Sequence, residues 1–192
     1  MIKAPLIILS GPAGSGKTTV AARVLAEAGR PLRRAVTATT RPPRVGEVNG
    51  IDYRFLDPAR FEAMVEAGEF LEHARVHGNW YGTPRAEVEP YREQGVGVIL
   101  VIDVQGAAQV RQSCPDHLSI FLYTSSPQLI ERRLRDRGAD SEAAILRRLE
   151  TAKGELTRAA EYQYRVLNDD LDAAVRDVIQ IIRDRFSEGE HA

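Results

Sequence analysis

The chain has 192 residues, which suits one domain or one core carrying small inserted segments, and its 43% hydrophobic and 28% charged shares exclude a disordered chain. A formal net charge of −1 leaves no general electrostatic pull toward nucleic acid or an acidic membrane, so neither is an expected partner. Cys114, the single cysteine, excludes an internal disulfide or a cysteine-based zinc site, no apolar run approaches the roughly 20 residues of a membrane helix, and a reducing, cytoplasmic setting is expected.

The apolar run at 6–9 reads as a buried strand, followed by a helix over 16–28 and a strand at 35–37. From residue 37 to 81 the composition turns polar and aromatic, with Tyr53, Phe55, Phe61, Phe70, Trp80 and Tyr81. A hairpin-like segment with one short helix, from Asp57-Pro58 to Ala67, suits it and marks an inserted subdomain. The next elements are a helix over 84–94, strands at 98–102 and 119–123, and helices over 127–136 and 142–160. A strand at 164–167 and a helix over 171–185 complete the chain. Ser126-Pro127 offers a helix start, and Gly29, Gly95 and Gly138 follow helix ends. This alternation predicts an α/β fold on a mostly parallel sheet. Arginines are dense from Arg132 to Arg148, the composition of either a mobile, phosphate-facing lid or a solvated helix face. The four histidines show no metal spacing, and His73 is expected on the strand face opposite its neighbour Glu72.

Residues 11–18 read GPAGSGKT and satisfy G-x-x-x-x-G-K-[ST], after a predicted strand and at the start of a predicted helix. Gly11, Gly14 and Gly16 let the backbone N–H groups turn inward around a phosphate chain, and the helix dipole adds positive potential. The expected ATP-binding stretch is Gly11, Pro12, Ala13, Gly14, Ser15, Gly16, Lys17, Thr18 and Thr19. Lys17 reaches the β- and γ-phosphates, and the Thr18 hydroxyl is the candidate ligand for Mg²⁺. This motif is silent on the phosphoryl acceptor.

The acceptor has to be read from residues 37–56, TATTRPPRVGEVNGIDYRFL. Arg41 and Arg44 flank Pro42-Pro43, which favours an extended backbone. Two guanidinium forks on a stiffened loop suit a phosphate, and Tyr53 and Tyr81 can add uncharged O–H donors. A surface loop rich in arginine and proline is the plain alternative.

Here the sequence resembles the guanylate kinase family. The family signature T-[ST]-R-x-x-[KR]-x-x-[DE]-x-x-[GA]-x-x-Y-x-[FY] is met by Thr39, Thr40, Arg41, Arg44, Glu47, Gly50, Tyr53 and Phe55. The likeness continues through GEFLEHARVHGNWYGTP (68–84), IDVQG (102–106), RLRDRGADSEAAILRRL (133–149) and VLNDDL (166–171). The resemblance implies a P-loop three-layer core over 1–36, 84–125 and 160–187, a GMP-binding insert over 37–83 and a small helical lid region over 126–159, within one domain spanning 4–187. It implies transfer of the γ-phosphoryl group of Mg·ATP to GMP, with dGMP also accepted. By matching position, Arg41, Arg44, Tyr53 and Tyr81 hold the GMP phosphate, and Glu72, Thr83, Thr37 and Asp103 surround guanine. Chemistry agrees: guanine N1–H and N2–H₂ can both meet one carboxylate, whereas adenine would leave it unpaired. A buried ion-pair role is the alternative for Glu72. The resemblance makes Arg137 and Arg148 lid arginines, catalytic together with Lys17 and Arg41, and places Asn168 at the adenine site. Arg132, Arg133, Arg135 and Arg147 have no match and are expected to be solvated.

Three departures stand out: Val101 where the family usually has an acidic residue, Thr37 for the commoner Ser, and Ala139 for the usual Thr. Two relatives of the same core compete with this reading. A ribose bisphosphate phosphokinase would have no use for Glu72 and Thr83. A non-catalytic phosphopeptide-binding module would typically have lost Lys17. Oligomeric state is left open.

Overall fold

The computed structural model describes residues 3–76, 78–136 and 141–190, without the side chains of 188–190. At its centre lies β1 (Leu6–Ser10), every residue of which is buried. Its neighbours are β7 (Gly97–Val101) and β8 (His117–Tyr123), with β2 (Leu32–Arg34) and β9 (Tyr164–Leu167) outside them. All of these pairings are parallel, with Leu6 level with both Val98 and His117. Parallel strands covered on both faces read as unbroken apolar runs, which is why the central strands were legible.

The strand period of two sorts their side chains into two layers. Ile7, Leu9 and Ile99 pack against α1 (Lys17–Glu27) and α7 (Leu171–Glu190). Leu6, Ile8, Val98 and Leu100 pack on the other face against α4 (Val104–Ser113). The apolar spacing predicts no helix at α4. The residues facing the core, Val104, Ala107 and Val110, are mostly small, so their helical spacing was faint. The stronger signal was the start: Asp103 Oδ1 accepts from the N–H groups of Gln105 at 2.6 Å and Gly106 at 2.9 Å.

A second sheet, in the order β4-β3-β6-β5, is built from β3 (Ala38–Thr39), β4 (Arg54–Phe55), β5 (Phe70–Val76) and β6 (Asn79–Pro84). β5 and β6 form an antiparallel hairpin, while β3 pairs parallel with β4. Helix α2 (Pro58–Glu66) starts at Asp57, whose Oδ1 accepts from Arg60 N–H at 2.8 Å. Its Phe61 stacks on Phe70 at 4.5 Å between ring centroids and on Trp80 at 5.9 Å, giving this sheet a small core. Gln109 of α4 ties the sheet to the main core by exchanging hydrogen bonds with the His73 backbone, at 2.7 and 3.1 Å.

Several element boundaries differ from expectation, among them the last helix, which runs to Glu190. The strand expected at 35–37 lies at 32–34 instead; Arg33 and Arg34 disguise it, although Arg33 lies flat over the Tyr91 ring at 3.7 Å. The helix expected over 84–94 divides into a 3-10 turn, Arg85–Glu87, and α3 (Glu89–Glu93). There Pro90 lacks an N–H for a continuous helix, and Glu87 turns inward to Arg33 and Arg54. Finally α6 (Glu142–Leu156) gives way to a 3-10 turn, Thr157–Glu161. Among the described residues no helix is long and apolar enough to cross a membrane.

Candidate functional site

The loop from Gly11 to Lys17 joins the buried C-terminal end of β1 to α1, and its glycines are required by geometry. Gly11 has φ +138, and a Cβ there would lie 2.0 Å from the Leu122 carbonyl oxygen. Gly16 has φ +93, and a Cβ there would lie 2.4 Å from Asn168 Nδ2. Lys17 bends back over the loop, donating to the carbonyl oxygens of Gly11 at 2.6 Å and Pro12 at 3.0 Å.

Asn168, only 2% exposed, donates from Nδ2 to the Ser15 carbonyl at 2.7 Å. Arg133, carried by α5 (Pro127–Asp136), donates to the Asn168 carbonyl at 2.8 Å and to the Ser15 carbonyl at 3.5 Å. Arg133 is therefore not solvated as expected; it braces the phosphate loop against β9. Arg135 is exposed and paired with Glu131 and Glu142, and Arg132 and Arg147 are exposed. In sequence these arginines look alike. The missed signal is phase: Arg133 follows Ile130 by one helical turn and precedes Leu134, both of them buried. Gly14, Gly16, Thr19, Arg133, Asp136, Asn168 and Leu171 line a cavity on this side of the loop. Since the G-x-x-x-x-G-K-[ST] motif predicts a nucleoside triphosphate at this loop, Arg133→Ala should weaken its binding about tenfold, the equivalent of one charge-assisted hydrogen bond. Titration calorimetry with Mg·ATP checks this, and unchanged affinity would mean that the Arg133 brace does not shape the loop for its ligand.

On the opposite side the loop faces a second cavity, of about 210 Å³. Gly11, Ala13, Gly14, Gly16, Lys17 and Thr18 form one wall. Thr37, Arg41, Arg44, Tyr53, Glu72 and Tyr81 come from the inserted segment, Val101 and Asp103 from the end of β7, and Arg148 and Glu155 from α6. The fold thus brings most of the sequence-derived candidates to one space. Thr83 is fully buried behind it. Ser15 is buried under the loop, Thr19 and Asn168 face the other cavity, and Pro12 lines neither. The candidate Arg137 and the departure at Ala139 lie outside the described residues.

Arg41 is held by Glu47, a position of the family signature. Its guanidinium donates to both oxygens of Glu47, at 2.8 and 2.9 Å, and Glu47 also accepts the Arg44 N–H at 2.7 Å. Burial works against the Glu47 charge, but these bonds outweigh it and hold the carboxyl below its usual range. Arg41 lies over the rings of Tyr53 at 5.4 Å and Phe55 at 5.8 Å, so a carboxylate and two rings set its direction. Burial pushes the Tyr53 phenol up, which keeps it a proton donor.

Glu72 is 3% exposed, and the Thr83 hydroxyl donates to its Oε1 at 2.6 Å. Burial raises its pKa to about 7; the Thr83 hydrogen bond opposes this and the nearby Asp103 charge adds to it. Room for the carboxylate comes from Gly106 of α4, where a Cβ would sit 2.3 Å from Glu72 Oε2. Among the described residues no cation pairs with Glu72, so the ion-pair alternative lacks its partner. Thr83 turns its proton to Glu72 rather than to the cavity. No cluster of three His, Cys, Asp or Glu residues suited to a metal occurs among the described residues. The phosphate-loop wall, with the Thr18 hydroxyl as its one side-chain oxygen, suits a hard cation carried in with a phosphate ligand.

The profile of the family described as "Guanylate kinase" matches residues 3–185. The guanylate kinase of Nostoc sp. is 48% identical over 171 residues, covering 89% of this chain and 85% of the relative. That of Rubrobacter xylanophilus is 45% identical over 183 residues, covering 95% of each. The crystal structure of guanylate kinase from Anaplasma phagocytophilum superposes with a TM-score of 0.80 at 32% identity, covering 95% of this chain and 86% of that one. A phosphate loop facing an arginine–tyrosine pocket with a buried glutamate, on a fold shared almost end to end with these proteins, places the chain in the guanylate kinase family.

Proposed function

We propose that this protein transfers the γ-phosphoryl group of Mg·ATP to GMP, and to dGMP, giving ADP and GDP. The observation that carries the reading is the single cavity in which Lys17 and the phosphate loop face Arg41, Arg44, Tyr53, Tyr81 and Glu72. The acceptor phosphate is already anionic and nucleophilic, so no strong general base is needed, and catalysis consists of positioning and charge neutralisation. Arg41 and Arg44, with the two tyrosine hydroxyls, hold the acceptor phosphate. Ionised Glu72 accepts guanine N1–H and N2–H₂, with Thr83 setting its orientation and Thr37 and Asp103 beside it. Lys17, Arg41, Arg148 and, outside the described residues, Arg137 neutralise the group in flight. Mg²⁺, which Thr18 would hold, supplies further charge neutralisation on the phosphates.

The domain division that suits this function has residues 37–83 as the acceptor-binding insert and 126–159 as the lid region. Both close over the core and keep water from the phosphoryl group. Small-angle scattering with and without GMP should show residues 37–83 moving toward the core, and superimposable profiles would contradict closure. The test of the reaction is ADP formation with GMP, AMP, CMP and UMP as acceptors. Turnover with GMP far above the others is expected; equal rates with AMP would overturn the assignment.

A further inference from the structure

Helix α6 presents two charged side chains to the cavity, of which Arg148 alone has a part in the transfer proposed. Arg148 and Glu155 both line it, and their spacing is close to two turns at about 3.6 residues per turn, which puts them on one helix face. Arg148 suits a phosphate; Glu155 does not. A carboxylate at a phosphate loop repels a polyanionic substrate, so Glu155 calls for a reason.

Its surroundings supply one. The lower part of α6 is seated on the phosphate loop itself, since Leu149 and Ala152 pack with Ala13, Ile130 and Leu134. Leu156, the next residue, packs against the main core. The helix backbone at Glu155 is thereby fixed in place, and Oε2 of its side chain is buried with no hydrogen bond. Burial raises its pKa, while the Lys17 ammonium and the Ala13 N–H favour its charged form. The other carboxylates of the cavity are engaged elsewhere, Glu72 by Thr83 and Asp103 by the first turn of α4. Lys17 donates to the Gly11 and Pro12 carbonyls, and its charge is felt by the Glu155 carboxylate, which lines the same cavity.

We propose that Glu155 is a positioning residue for the transfer: seated beside Ala13, its carboxylate directs the Lys17 ammonium into the cavity, so that the lysine meets the moving phosphoryl group in one orientation. This rests on the reaction proposed above. Its signature is a split between the kinetic constants. Losing the charge weakens the pull that turns the Lys17 ammonium toward the cavity, which lowers kcat, but it also removes a repulsion on ATP, so KM for ATP does not rise.

The experiment compares the full-length parent with Glu155→Gln and Glu155→Asp in ADP formation, ATP varied at saturating GMP and the reverse, together with melting temperatures. Glu155→Gln should lose about tenfold in kcat, the worth of one charge-assisted contact. KM for ATP should be unchanged or lower and KM for GMP unchanged. Glu155→Asp, which keeps the charge, should recover part of kcat. A glutamine variant with parental kcat, or with a raised KM for ATP and unaltered kcat, overturns the inference. Should glutamine lower the melting temperature, the aspartate variant decides, and a kcat no better than that of glutamine also overturns it. A parent that forms no ADP with GMP would instead sink the reaction itself, whereas an active parent indifferent to Glu155 sinks only this inference.

Discussion

Lys17→Ala is expected to lower kcat by about 10³-fold or more, because it deletes a cation aimed at charge that develops in a partly desolvated site. The cavity strengthens this effect. Lys17 stands between the carbonyl oxygens of Gly11 and Pro12 and the open space that Arg41, Arg44 and Arg148 also line, so no second lysine can take over its position. The fold should survive. The variant loses two hydrogen bonds to loop carbonyls, roughly 1 kcal/mol each, and those carbonyls can turn to water in the cavity. For a chain of this length that corresponds to a melting temperature lower by only a few degrees. Coupled detection of ADP, with a thermal melt on the same sample, checks both halves. Near-parental turnover would remove Lys17 from the reaction, and a collapse of the melt would mean that the loss reports folding instead.

The second large effect concerns the base and depends on pH. With its pKa raised to about 7 by burial, Glu72 is partly protonated near neutrality in the unliganded protein. Guanine needs the ionised form, since both of its facing groups are donors. In the parent, kcat/KM for GMP should therefore climb with pH up to about 7 and level off above, falling toward tenfold per unit on the acid side. The acceptor phosphate titrates near pH 6 and bends the same limb, so the informative curve is the ratio to Glu72→Gln. That variant cannot ionise, and it sets an amide N–H against a guanine donor. An unpaired buried donor costs about 1–3 kcal/mol, and the lost charge-assisted bonds add to it, so kcat/KM for GMP should fall about ten- to several hundredfold at pH 8. The gap between parent and variant should shrink as pH falls below 7.

Stability moves the other way. A carboxyl whose folded pKa lies above its unfolded value contributes stability that is fully present below the unfolded pKa and is lost as pH rises through the folded one. Here the window runs from about 4.5 to about 7 and spans on the order of 3 kcal/mol. Glu72→Gln, neutral at every pH, should therefore melt at or above the parental temperature at pH 8. Retained preference for GMP over AMP in a variant that melts early would mean that Glu72 is structural and does not read the base.

Much of this protein was legible before its fold was known, and the reason is local. A glycine that must adopt positive φ, a strand buried on both faces and a helix cap are all written within a few neighbouring residues. Gly11 to Thr18 and β1, β7, β8 and β9 could be read from their own segments for that reason. The acceptor pocket was legible through motif matching rather than through local physics, because Arg41, Glu72 and Asp103 lie on segments that nothing local draws together. Element edges failed where two signals competed. Arginines hid the strand at 32–34, and small residues hid α4.

What only the tertiary structure decided is which charged side chains are held and by what. Arg133 and Arg135 are two positions apart on one helix, yet one braces the phosphate loop and the other pairs at the surface. Glu47 fixes Arg41, Gly106 makes room for Glu72, and Glu155 comes to Lys17 from the far end of a helix more than a hundred residues away in sequence. None of these relations is a property of a segment. Each depends on parts of the chain that meet only when the two sheets and their helices pack, and charge, unlike hydrophobic periodicity, takes its meaning from the partner it meets.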